Sequence, residues 1–197
     1  MAEALPERSA EPRMRARSRV LAILAAFVVG LAVRPAAQET GREYDVKASF
    51  VFNFARFVVW PATAFSSPGA PIVLCLIGGD PFDGALDRIV AGRLVNGLPL
   101  EVSRRSTGDR LPGCHIVFVS RDSERDVERV LTALVGVPAL VVGDMDGFAR
   151  RGGTVNLFLD NRRVRFEINV EAAGRHGLRL SSKLLALARI VDDVPGR

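Results

Sequence analysis

The sequence predicts an α/β fold: a single layered domain with a mixed, mostly parallel sheet flanked by helices, and with a C-terminal β-hairpin and helices. Three observations carry this prediction. Short apolar runs of strand length recur along the chain and are closed by turn residues, as in PIVLCLI followed by Gly78-Gly79-Asp80. Stretches of helical periodicity separate these runs, an alternation that sets parallel strands side by side. Residues 155–168 alternate apolar and polar side chains on both sides of a two-residue turn, the pattern of an antiparallel hairpin. A length of 197 residues suits one domain, and 48% hydrophobic with 25% charged residues excludes a wholly disordered chain.

The domain is expected from residue 38 onward, because the front end reads as a targeting segment. Residues 20–33, VLAILAAFVVGLAV, are 14 uncharged residues behind a cluster of arginines. A membrane-spanning helix needs roughly 20 apolar residues, so this run fits the core of a secretory signal peptide over residues 1–37. An uncleaved anchor is the alternative, and either reading exports the domain. MRARSRV is a better basic leader than the acidic stretch ahead of it, which makes Met14 the expected start. Of the charged residues, six Arg and three Glu fall within 1–37, leaving 21 basic and 19 acidic groups for the rest of a chain with net charge +5. No nucleic-acid partner is expected from so even a balance.

Residues 43–60, EYDVKASFVFNFARFVVW, open the domain. Polar residues at 45, 49, 53 and 56 make one narrow helical stripe, and Phe50, Phe54 and Phe57 share a face. A helix with so little polar surface is expected to be buried on two sides, with a homodimer as one way of covering it, and to end at Pro61. Residues 71–77 read as a buried strand and 82–90 as a helix. Residues 98–102 and 115–119 read as strands, 125–134 as a helix with a charged outer face, and 139–142 as another buried strand.

In the hairpin, a turn at Asn161-Arg162 pairs Asp160 with Arg163, Phe158 with Arg165 and Asn156 with Glu167 on one face. The same register pairs Leu159 with Val164, Leu157 with Phe166 and Val155 with Ile168 on the other. Every pair matches in character, as a correct register requires. One face therefore belongs to the core, and the other carries charge around Phe158. Beyond it, Asn169 is placed to cap a helix through Arg175, closed by Gly177. Ser181 or Ser182 is placed to cap a last helix with Leu184, Leu187, Ala188 and Val191 at i, i+3, i+4 and i+7.

Chemistry-bearing patterns are sparse. His115 and His176 lack the convergent ligands of a zinc site, and no serine sits in G-x-S-x-G. Gly78-Gly79-Asp80-Pro81 matches no nucleotide-binding pattern and reads as a turn, and Asp144-Met145-Asp146-Gly147 reads as a turn with an acidic tip. No enzyme activity, cofactor or metal is expected. Cys75 and Cys114, an even count in an exported chain, are expected to form a disulfide, with two buried thiols that never meet as the alternative.

Four segments together resemble the YfiR family of periplasmic proteins. They are EYDVKASFVFNFARFVVWP, IVLCLIGGDPFDGAL, CHIVFVS, and a C-terminal run carrying GFA-x-x-GG, FEIN and LSSKLL; the likeness covers nearly all of residues 43–191. The resemblance implies one α/β domain over residues 38–197, located in the periplasm. Such a protein binds the periplasmic domain of a membrane-bound GGDEF diguanylate cyclase and holds it inactive, lowering cyclic-di-GMP and biofilm formation. An outer-membrane lipoprotein is implied as a second partner that draws the repressor away. Residues 149–158 contain no cysteine, whereas the family's named member carries a second pair there. Asn156, Phe158, Arg163, Arg165, Glu167, Arg175 and His176 are the expected partner- or ligand-binding residues, as an interface or an anion pocket. A periplasmic small-ligand sensor or carrier is the alternative function.

Overall fold

The structure, a computed structural model, describes residues 36–194, so the expected signal peptide, but for its last two residues, and the Met14 start lie outside the described residues. No helix among the described residues is long and apolar enough to cross a membrane. The described residues open with α1 (Ala36–Phe54), β1 (Val58–Val59), β2 (Ile72–Ile77), α2 (Ala85–Val90), β3 (Leu94–Val95), β4 (Leu98–Arg105), β5 (Ile116–Val119) and α3 (Val127–Ala133). They continue through β6 (Leu140–Gly143), β7 (Val155–Asp160), β8 (Arg163–Ile168), α4 (Val170–Arg175), β9 (Arg179–Leu180), α5 (Ser182–Leu185) and β10 (Arg189–Ile190).

The main sheet has the order β10-β8-β7-β6-β5-β2-β4-β3. β4, β2, β5, β6 and β7 run parallel, β3 is antiparallel to β4, and β8 is antiparallel to β7 but parallel to β10, so the sheet is mixed and mostly parallel as expected. β2 lies between β4 and β5, and the chain therefore winds outward from it in both directions, as in doubly wound folds. Strands such as IVFV and LVVG are apolar on both faces because both faces are covered. Leu74, Leu76, Ile116, Phe118 and Val142 pack with α1 and α2 on one face, and Cys75, Ile77, Val117 and Val141 pack with α3 on the other. A disulfide joins Cys75 to Cys114 with their Cα atoms 5.8 Å apart, and no cysteine is free. Closing a loop of that length, a separation of 39 residues, is worth about 4 kcal/mol on the chain-entropy model.

α1 exposes Asp45, Ser49 and Asn53 and buries Ala48, Val51 and Phe54, so its polar stripe is where the spacing put it. The helix stops at Phe54 rather than running to Pro61. Backbone bonds from Arg56 to Asn53 and from Phe57 to Phe54 turn the chain, and β1 then pairs with β9. The hairpin of β7 and β8 has the register read from the sequence, pair for pair. Asn161 and Arg162 both take positive φ, 48° and 62°, which is the type I′ geometry that matches strand twist even though Arg is a poor residue for it. On its core side Phe166 packs 5.6 Å from the Phe50 ring and 5.3 Å from that of Phe54.

The GFARRGG run has a steric explanation. Phe148 is fully buried, and a Cβ on Gly153 would sit 2.3 Å from its ring, one on Gly143 2.7 Å. Only glycine lets the two backbones clasp that ring. Asn169 caps α4 by accepting from the Ala172 amide at 2.8 Å, and Ser181 caps α5. The last helix is much shorter than its periodicity suggested. Leu187 is 72% exposed, and the chain leaves α5 to form β10 beside β8, where the Val191 amide bonds to the Ile168 carbonyl. A pairing partner outside the segment outweighs the local helical spacing.

Candidate functional site

Where β6 ends, the helix α1, the loop after β6 and the hairpin surround a cleft of about 650 Å³. Register explains one wall: Gly143, Asn156, Glu167 and Arg189 are successive cross-strand neighbours on β6, β7, β8 and β10. The hairpin outruns β6, which brings Phe158 to the same wall. The opposite side is built by Tyr44 and Lys47 of α1 together with Asp144, the first residue past β6.

Lys47 is only 2% exposed, and the Asp144 side chain is wholly buried. The Lys47 ammonium lies 2.8 Å from Asp144 Oδ2 and 2.5 Å from Glu43 Oε1, and 4.5 Å above the Tyr44 ring. The Tyr44 hydroxyl donates to the same Asp144 oxygen at 2.8 Å, and Arg121 Nη2 donates to the Asp144 carbonyl at 2.6 Å. Burial, then the carboxylate of Asp144, pushes the Tyr44 hydroxyl far above its ordinary range. Tyr44 is therefore a fixed donor and cannot serve as a base at neutral pH. Desolvating such a pair offsets much of its attraction, but removing one partner strands the other. Asp144 is thus a buried anchor, which corrects its reading as an exposed acidic tip; Asp146 alone is exposed.

On the hairpin wall Asn156 Nδ2 donates to Glu167 Oε2 at 3.3 Å, and Arg189 pairs with Glu167 Oε1. Asn156 and Glu167 are buried, so this face of the hairpin is solvated only toward its tip. Phe158 faces Arg165 in the backbone register, but the guanidinium 4.5 Å over its ring is that of Arg189. β10, which supplies Arg189, had no signature of its own in the sequence. Asp144 and Asn156 both line the cleft, and each holds a buried oxygen, Oδ1, with no hydrogen-bond partner among the described residues.

Of the residues singled out from sequence, Asn156, Phe158 and Glu167 line this cleft. Arg163 and Arg165 stand exposed on β8 outside it. Arg175 and His176 do not line it either: Arg175 pairs with Asp193 at 2.7 Å and Glu171 at 3.3 Å, and His176 Nδ1 lies 2.8 Å from the Val137 carbonyl. Both tie neighbouring loops. Lys47 went unremarked, although a signal existed: it shares a helical face with Val51 and Phe54, four and seven residues on, where a cation is out of place.

Elsewhere the chemistry-bearing residues do structural work. His115 is buried, accepts from the Val73 amide through Nδ1 at 3.0 Å and stacks 4.4 Å from Phe65. Burial holds its imidazole below the ordinary value, with the Ala64 carbonyl partly offsetting this. Asp80 closes the Gly78-Gly79 turn by accepting from the Phe82 amide at 2.9 Å, and Arg104 clamps Asp80 to Asp87. No group of three or more metal-ligating side chains occurs among the described residues.

Two solved structures resemble the chain at low identity. One is the ABC domain in complex with L-Trp from Streptococcus pneumonia, at 12% identity and a TM-score of 0.49, with 72% of this chain and 59% of that chain covered. The other is a conserved domain protein from Vibrio cholerae, at 13% identity and a TM-score of 0.49, with 75% and 59% covered. This chain thus spans less than two thirds of the length of either. The family model described as YfiR/HmsC-like matches residues 44–189, from Tyr44 at one side of the cleft to Arg189 at the other. With nearly the whole described domain inside that match, the chain belongs to the YfiR/HmsC-like family.

Proposed function

We propose that this protein is a periplasmic regulatory binding protein that represses a membrane GGDEF diguanylate cyclase through the cyclase's periplasmic segment. Family membership over residues 44–189 is the observation that carries this reading. The geometry is compatible with it. Arg163 and Arg165 stand exposed beside Phe158 on a hairpin that projects past the parallel strands, and arginine with an aromatic ring is the usual composition of an interface hot spot. On this reading an outer-membrane lipoprotein competes for the repressor, and the exported domain has no catalytic role.

The test is cellular cyclic-di-GMP in a deletion strain that expresses the cognate cyclase. The level should rise on deletion, return when the exported form is restored, and stay high when only a form lacking residues 14–37 is made. An unchanged level in the deletion strain would overturn the reading. The second reading, a periplasmic small-ligand sensor, is favoured by one specific observation: the cleft lined by Lys47, Asp144, Asn156 and Glu167.

A further inference from the structure

We infer that the cleft between α1 and the hairpin is a binding site for a hydroxylated neutral or anionic small molecule, a sugar or sugar acid, held by Asp144 and Asn156. This goes beyond the repressor reading and does not depend on it. Asp144 and Asn156 are 1% and 3% exposed, both line the cleft, and each keeps one oxygen without a partner among the described residues. A buried acceptor left unpaired is costly, so a group that donates to it is bound with a gain well above that of an ordinary exchange with water. The volume of about 650 Å³ lies in the range of small-molecule sites.

The charges around the two acceptors decide what kind of donor fits. Oδ2 of Asp144 already holds the Lys47 ammonium at 2.8 Å and the Tyr44 hydroxyl at 2.8 Å, so the carboxylate is matched by a cation. Arg121, Arg150 and Arg189 also line the cleft, and Glu167 is matched by Arg189. A ligand ammonium would meet Lys47 and Arg121 at close range, whereas hydroxyl donors bring no charge. Arg150 has no side-chain partner among the described residues and faces a cleft whose other carboxylates are, Asp146 apart, engaged. An acidic substituent on the sugar is therefore accepted. Phe158, half-buried with Arg189 over its ring, adds an apolar side chain to the lining.

Saturation-transfer NMR and calorimetry on the purified protein, with glucose, N-acetylglucosamine, glucuronate and putrescine as probes, test this. At least one of the three sugars should bind with a Kd below about 1 mM, and putrescine should not. In ¹⁵N-labelled protein the Asn156 side-chain amide resonances should shift on addition of that sugar. Asn156→Leu, where it folds, should weaken binding at least about tenfold. If Asn156→Leu fails to fold, the amide shift in the wild-type protein decides alone. Absence of sugar binding at 10 mM, an unmoved Asn156 amide, a binding Asn156→Leu variant, or putrescine binding in place of the sugars each overturns the assignment. Failure of the cyclic-di-GMP experiment leaves these readouts untouched, so the two inferences fail separately.

Discussion

Replacing Lys47 by methionine isolates the buried ion pair. The stem of Lys47 keeps its packing volume in this change, and only the ammonium is lost. Its removal leaves the Asp144 carboxylate, wholly buried, with the Tyr44 hydroxyl and no cation within 3 Å among the described residues. Breaking a buried pair from one side costs about 3–5 kcal/mol. Total stability for a domain of this class is about 5–15 kcal/mol, so the variant should lose about a fifth of it or more. Glu43 contributes little, because its side chain is 22% exposed and can turn to water once the ammonium is gone. Lys47→Met combined with Asp144→Leu should recover most of the loss and fall within about 1 kcal/mol of wild type, since apolar replacements of buried pairs are often neutral. Urea unfolding of wild type, both single variants and the double variant at one pH provides the cycle. A Lys47→Met loss under about 1 kcal/mol, or a double variant as unstable as the single ones, would refute the assignment of Lys47 and Asp144 as a buried, mutually dependent pair.

Three further outcomes follow from other parts of the structure. Cys75→Ser should cost about 2–5 kcal/mol, and denatured, unreduced protein should take up no thiol label; labelling of two cysteines would contradict the bond. Because burial depresses the His115 imidazole, the unfolded chain takes up its proton first, so stability should fall as pH drops below about 6.5, by up to about 1.4 kcal/mol per unit, until the folded ring titrates. The drop in melting temperature between pH 7.5 and 5.5 should shrink in His115→Gln, and an unchanged drop would remove His115 from the explanation. Arg165→Ala should melt like wild type yet bind the cyclase's periplasmic segment at least about tenfold more weakly in a pull-down, whereas Phe166→Asp, buried against Phe50 and Phe54, should not fold.

The hairpin register was legible because every cross-strand pair, from Val155 with Ile168 to Asp160 with Arg163, had to match in character, and a slip by one residue would break them all. The central strands were legible for a related reason: an apolar run of four to six residues between turns has few other uses. β1, β9 and β10 were not, since two residues carry no periodicity and their partners lie far along the chain. The site shows the same divide. Asn156, Phe158 and Glu167 could be placed together by local pairing, but Lys47 and Asp144 meet across 97 residues of sequence and Arg189 reaches Glu167 across 22. No local pattern records an encounter of that kind. Leu187 shows how one misleads: it sits in perfect helical step with Leu184 and ends up in solvent.

The position of the disulfide has a mechanical consequence. Cys75 lies in the middle of β2, where the winding reverses, and Cys114 lies just ahead of β5. The bond therefore welds the seam along which the two wings of the sheet would otherwise part. The far wing is more thinly paired: there β6 meets β7 over two residues and β10 clings to β8 over two. That wing is the one that forms the cleft. In a reducing compartment that staple is lost, and β2 and β5 are joined by backbone pairing and core packing alone.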